Sequence, residues 1–200
     1  MATSDFLLRE QNGTPKQLVF NKAATFTGAG LDLRDATSGN RVTGELDLTS
    51  LASSTAPTTT AIRQSAKIDL GALWAEAYQG RAVCEFAATP VAGNVVLFYW
   101  APSLLTTAGS GNLANVSGSD AAYTGYSSNN AASIEQLQYI GSMIVTAQAT
   151  ATLQAGLIRG LLRPKYRYGS LLVWNQAGAS FHTGVVNTCI VFDPIVLQGQ

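Results

Sequence analysis

The stretch Asn94-Val-Val-Leu-Phe-Tyr-Trp-Ala-Pro102 decides how this chain is read. Its six central residues, Val95 to Trp100, are β-branched, aromatic or leucine, the types that fit a pleated, packed surface. Side chains on a strand alternate between faces. An unbroken apolar run therefore predicts a strand covered on both sides. The run is far too short to cross a bilayer. It follows the turn Thr89-Pro-Val-Ala-Gly-Asn94, which joins it to a second β-rich segment, Arg81–Ala88 (RAVCEFAA).

Outward from this pair the same grammar repeats. Gln136–Ala149 (QLQYIGSMIVTAQA) alternates, with Leu137, Tyr139 and Gly141 facing one way and Gln138, Ile140 and Ser142 the other, before the pattern becomes mixed. Residues 155–162, 166–175 and 187–197 are further strand candidates, separated by turns near Gly169, Gly178 and Asp193-Pro194. Earlier in the chain, 16–27, 44–51 and 62–70 read as short strands, and 71–79 (GALWAEAYQ) as one or two helical turns. About eight to ten strands with turns between them indicate an all-β sandwich or barrel. Of these we expect a jelly-roll-like β-sandwich. The expected organisation is an extended N-terminal arm over 1–15, peripheral strands and a linker (ASSTAPTTT, 52–60) over 16–60, and a sandwich core over 61–200.

Charge is scarce. The 200 residues carry 12 acids and 12 bases, 12% charged in all, against about 25% in typical domains. Zero net charge gives no whole-molecule attraction to nucleic acid or membrane. A run of 57 residues, Gln136 to Phe192, contains no acid at all. So few surface charges protect poorly against association, which points to a protein covered by copies of itself or by a larger assembly. The start, MATSDFLLREQNG, lacks the basic and apolar regions of a signal peptide, so a soluble product of a cytoplasm is expected.

Chemistry-bearing constellations are weak. The single histidine, His182, has no nucleophile motif beside it. One histidine and two isolated cysteines leave no nitrogen/sulfur zinc set. Asp32 and Asp35 flank Arg34, but their spacing misses the calcium-loop pattern and a solvated turn explains them. Glu85 and Glu135 are not paired by anything in the sequence for glycoside hydrolysis. The expectation is no enzyme, no cofactor and no metal. Cys84 and Cys189 lie in apolar runs and read as small buried hydrophobes. A disulfide is open to them only if their strands are neighbours.

Two features point outward. Arg159, Arg163, Lys165 and Arg167 are the only fixed charges of the acid-free run. On a strand, Arg163, Lys165 and Arg167 share one face, about 13 Å long, with Pro164, Tyr166 and Tyr168 on the other. Such a stripe suits carboxylates of a neighbouring subunit, a nucleic-acid strand, or protection of a sheet edge; the small number of bases disfavours nucleic acid. The second feature is a polar segment from Leu104 to Ser133 with one charge, Asp120, and two tyrosines, Tyr123 and Tyr126, that could anchor it. Thirty irregular residues in a compact domain are commonly functional or mobile. The segment is either a contact loop over a neighbour or a mobile insertion.

Four segments, NVVLFYWAPS (94–103), GSGNLANVSGSDAAYTGY (109–126), IEQLQYIGSMIVT (134–146) and RPKYRYGSLLVWNQAGASF (163–181), together resemble virion proteins of tailed bacteriophages, more narrowly capsid decoration (cement) proteins with a jelly-roll body. The resemblance spans about residues 65–197 and is one of texture and order. It implies a homotrimer on the outer surface of the capsid, made in the host cytoplasm and bound to the major capsid protein, without catalytic residues. The arm and the basic stripe would be its contacts. The runner-up is a glycan-binding module of a tail fibre or receptor-binding protein, with Tyr123 and Tyr126 as stacking platforms.

Overall fold

The computed structural model describes residues 15–22, 39–149, 153–184 and 188–195. Among these, the strands are β1 (Gln17–Asn21), β2 (Arg41–Glu45), β3 (Ile62–Gln64), β4 (Ile68–Asp69), β5 (Tyr78–Glu85), β6 (Val95–Ser103), β7 (Ala121–Ala122), β8 (Gln138–Ile144), β9 (Leu153–Leu162), β10 (Tyr168–Gln176) and β11 (Cys189–Pro194). One short helix, α1 (Asn130–Ile134), precedes β8. The first sheet runs β2-β1-β11-β5-β9; the second runs β7-β3-β10-β6-β8, with β4 also on β10. Every pairing is antiparallel except β1 with β2. The protein is an all-β sandwich.

Alternation builds the core. Val96, Phe98 and Trp100 of β6 point between the sheets and are fully buried. They meet Leu18 and Phe20 of β1, Tyr78 of β5 and Phe192 of β11 in one cluster. The Phe20 ring lies edge-on to Trp100 and Phe192, with centroids 6.5 and 6.2 Å away, a favoured aromatic arrangement. On the other face of β6, Leu97 and Tyr99 pack against a second cluster outside the sandwich. The covering of both faces predicted for this strand is therefore present, and two different layers supply it.

Several local expectations change. Within 16–60, β1 is not peripheral: it sits between β2, the edge strand, and β11, with Leu18 and Phe20 wholly buried, because the first strand pairs with the last. Residues 52–60 are tied along β10, where Trp174 Nε1 donates to the Ser54 carbonyl at 2.8 Å and Ser54 N donates to Asn175 O. A covered indole N–H needs such an acceptor. Residues 71–77 form no helix; Ala75 N donates to the hydroxyl of Tyr78, which opens β5. The arm falls outside the described residues except for Pro15. Cys84 and Cys189 do sit on neighbouring strands, Cys189 opposite Val83. Alternation then turns their side chains to opposite faces of the sheet, Cys84 into the main core and Cys189 against Val19 and Val191. Both are free thiols, pushed up to about 12 chiefly by burial. No helix among the described residues is long and apolar enough to cross a membrane.

Candidate assembly surface

The polar segment Leu104–Ser133, together with the next residues to Leu137, is packed onto its own sheet and is not a free insertion. It covers the outside of β10 and β6. Its Ala114, Val116, Tyr123, Ile134 and Leu137 form a second hydrophobic cluster with Ala101, Leu172 and Trp174. The one charge of residues 104–133 is used within the chain: Asp120 accepts from Arg63 Nε at 2.7 Å and from Asp47 N at 3.1 Å. Lys67 reaches in from the β3–β4 connection. Its ammonium donates to Ser103 Oγ and to the carbonyls of Leu105, Thr107 and Ser110 at 2.6 to 2.9 Å. The segment's low charge thus reflects contact with its own sheet.

The two tyrosines of this segment part company. Tyr123 is fully buried and its hydroxyl donates to Ala114 O at 2.7 Å; burial pushes its phenol up to about 12. It anchors the cover from within and offers no surface to a partner. Tyr126 is 48% exposed. Tyr123→Phe should cost about 1–2 kcal/mol in urea unfolding, since it strands a buried carbonyl. Tyr126→Phe should leave the midpoint within about 0.5 kcal/mol of wild type.

The basic cluster is also rearranged. β9 ends at Leu162 and β10 begins at Tyr168, so Arg163 to Arg167 form a bent connection and not a strand. Strand alternation does not apply there. Pro164 is buried, and its carbonyl accepts from Trp74 Nε1 at 3.3 Å, while Arg163, Lys165, Tyr166 and Arg167 are exposed. Arg167 is paired within the chain. Its Nε and Nη2 donate to the two carboxylate oxygens of Asp69 at 2.6 and 2.7 Å, a bidentate geometry. Those bonds hold the Asp69 carboxyl below its ordinary value. The guanidinium also lies 5.3 Å from the centroid of the Tyr168 ring. The acid is 98 residues away in sequence, so a local reading misses it. Arg159, Arg163 and Lys165 have no carboxylate within ion-pair distance among the described residues.

β8 and β9, consecutive in the chain, are edge strands of different sheets and lie side by side. Both carry bulges. Phe98 faces Gly141 while Tyr99 faces Tyr139, leaving Ile140 as the extra residue. On β9 the register shifts opposite the step from Gln79 to Arg81. The two bulges meet: a Cβ on Gly160 would run into the Ile140 carbonyl, and one on Gly141 into the Arg159 carbonyl. A glutamine closes each end. Gln154 accepts from Thr146 N and donates to Thr146 O, both at 2.9 Å. The Gln138 amide, with its nitrogen toward Arg163 O, makes the matching pair with Arg163 at 3.3 and 3.2 Å. This seam joins the two sheets along one side and blunts edges that could otherwise recruit another strand. The bulge also explains the mixed pattern of this stretch, because it returns Met143 to the core beside Ile140.

Apolar side chains remain exposed on both outer faces next to the seam. On β9, Leu153 and Leu157 are 42% and 66% exposed, with Ala155 between them and Leu161 half-buried beyond. On the opposite face, Tyr139 and Ile144 of β8 are 52% and 40% exposed. They stand beside Tyr99 and Val95 of β6. The Tyr99 and Tyr139 rings are 5.3 Å apart. Burial, then Tyr139 and the Glu135 carboxylate, push the Tyr99 phenol above its ordinary value; Glu135 itself is exposed at the end of α1, just before β8.

His182 Nδ1 accepts from Gly184 N at 3.0 Å and lies 3.6 Å from Glu85 Oε1, bracing its turn. Asp32 and Asp35 are outside the described residues. Comparison with protein-family models, curated proteins and solved structures finds no match to this chain.

Proposed function

We infer that this protein is a structural component of a tailed-bacteriophage virion, a homo-oligomeric decoration protein bound to the major capsid protein on the outer capsid surface. The observation that carries the reading is the strand order. Taken along the chain, β1, β3, β5, β6, β8, β9, β10 and β11 pair as β1-β11-β5-β9 in one sheet and β3-β10-β6-β8 in the other. First pairs with last, and the connections wrap between sheets as in a jelly roll, an architecture found in viral capsid and lectin domains. A charge-poor composition and the resemblance of residues 65–197 to cement proteins support the same reading. A homotrimer is its expected state.

In this role the protein adds binding energy across capsomer boundaries without chemistry. Quantitative mass spectrometry of purified particles should find hundreds of copies per virion, and particles lacking the protein should burst at lower temperature. A handful of copies per particle would instead favour the glycan-binding reading, for which Tyr126, Tyr139 and Tyr166 are exposed rings. Unchanged particle stability would sink the cement role.

A further inference from the structure

We propose that copies of this chain dock head-to-tail, the leucine face of β9 with Arg159, Arg163 and Lys165 seating on the tyrosine face of β6 and β8 with Glu135 of the next copy. The proposal deepens the assembly reading above and rests on it for the identity of the partner. Three observations carry it.

First, the two faces are the same kind of surface with opposite charge. Each presents exposed apolar side chains on rigid strands, Leu153 and Leu157 on one, Tyr139 and Ile144 on the other. The first is bordered by three bases that have no acid within reach among the described residues, and the second by Glu135, which has no base within reach among them. Exposed apolar surface rimmed by charge is the mark of an interaction site, and complementary rims set register and orientation.

Second, the seam puts the charges at the same end. The Gln138 amide lies against the Arg163 backbone, so the start of β8, with Glu135 just before it, meets the end of β9. Placing the β9 face of one copy on the β8 face of the next, with β9 running opposite to β8 as it does within one copy, brings bases onto the acid and leucines onto tyrosine and isoleucine. A two-fold contact between identical faces would leave the bases of one face and the acid of the other without opposite charge across the contact. The arrangement favours a heterologous contact, which closes into a ring when its rotation permits.

Third, β8 and β9 touch each other through their bulges and the two glutamine clasps, so the exposed apolar side chains on this side lie on the two outer faces.

The test uses the full chain and two variants at exposed positions, Leu157→Asp and Tyr139→Asp. Light scattering after size exclusion should give a multiple of 20.9 kDa for wild type and a monomer for each variant. Mixed together, the variants should form a 1:1 dimer and stop, because each keeps the face that the other has lost. Glu135→Lys and the double change Arg163→Glu with Lys165→Glu serve as a second pair. Each should weaken wild-type assembly at least tenfold and combine with the other to restore it. Melting curves check that every variant is folded. A monomeric wild type, variants that still assemble with themselves, or folded variants that fail to combine would each overturn the contact. Absence of the protein from virions would sink the shell reading and leave this contact standing; a solution monomer found on capsids would do the reverse.

Discussion

Gly160→Ala is expected to destabilise the protein by on the order of 3 kcal/mol or more, the sum of a backbone conformation reserved for glycine and an overpacked contact. At this chain length that is a fall of roughly 6–12 °C in melting temperature. Gly160 has φ +151° and Gly141 has φ +155°. Each is the place where one bulge touches the backbone of the other, so a new methyl meets a carbonyl group and not the tip of a yielding side chain. The strands cannot separate without pulling on the glutamine clasps at both ends of the seam. Gly109→Ala is the control: open space surrounds it, and its melting curve should match wild type. Circular dichroism melts of the three proteins decide the matter. If Gly160→Ala melted with wild type, the two edge strands would not be in the close contact described.

Lys67→Met is the second large effect. The ammonium draws together one hydroxyl and three carbonyls from residues 103 to 110. Hydrogen bonds to a charged donor contribute about 1.5–3 kcal/mol each at most, and their sum is smaller because the group must be desolvated. Burial acts to lower the lysine pKa from 10.5, and the converging oxygens oppose that by stabilising the charge. We expect a loss of about 3 kcal/mol in urea unfolding. Faster hydrogen exchange should appear at Leu104 and Ser110, whose amides bond within the same loop. Lys67→Arg should not rescue it, because a planar guanidinium cannot converge on a compact set of oxygens as an ammonium does. Full rescue by arginine, or unchanged exchange in the loop, would show that the cage does not hold the cover in place.

Much of the fold could be read from periodicity. Alternation along 136–140 and the unbroken apolar run at 95–100 both signal strands, because the pleat reports burial directly in the order of residues. The limits appear where a contact joins distant segments. Asp69 and Arg167 form a bidentate pair across 98 positions, so the local absence of acids around Arg167 says nothing about its partner. Tyr123 and Tyr126 stand three residues apart in an identical polar setting, yet one is wholly buried and the other half exposed. Nothing in their neighbours distinguishes them; the position of α1 and of β10 beneath does. The supposed helical turns at 71–79 show the converse error. Trp74 and Tyr78 have helical spacing, but an irregular chain directs both inward and Tyr78 belongs to β5.

The candidate surface divides along the same line. That the bases cluster between Arg159 and Arg167, that acids are missing from 57 consecutive residues, and that the chain is built of strands are all properties of residue order. Order alone suffices for them because charge and pleat are local. Which bases stay unpaired, which tyrosines reach water, and which leucines face outward depend on the seam of β8 with β9 and on the cover folded over the second sheet. Those are set by register, by two bulges and by pairings between the first strand and the last. The energy that selects them comes from burying side chains of many segments at once, and no single stretch contains that information.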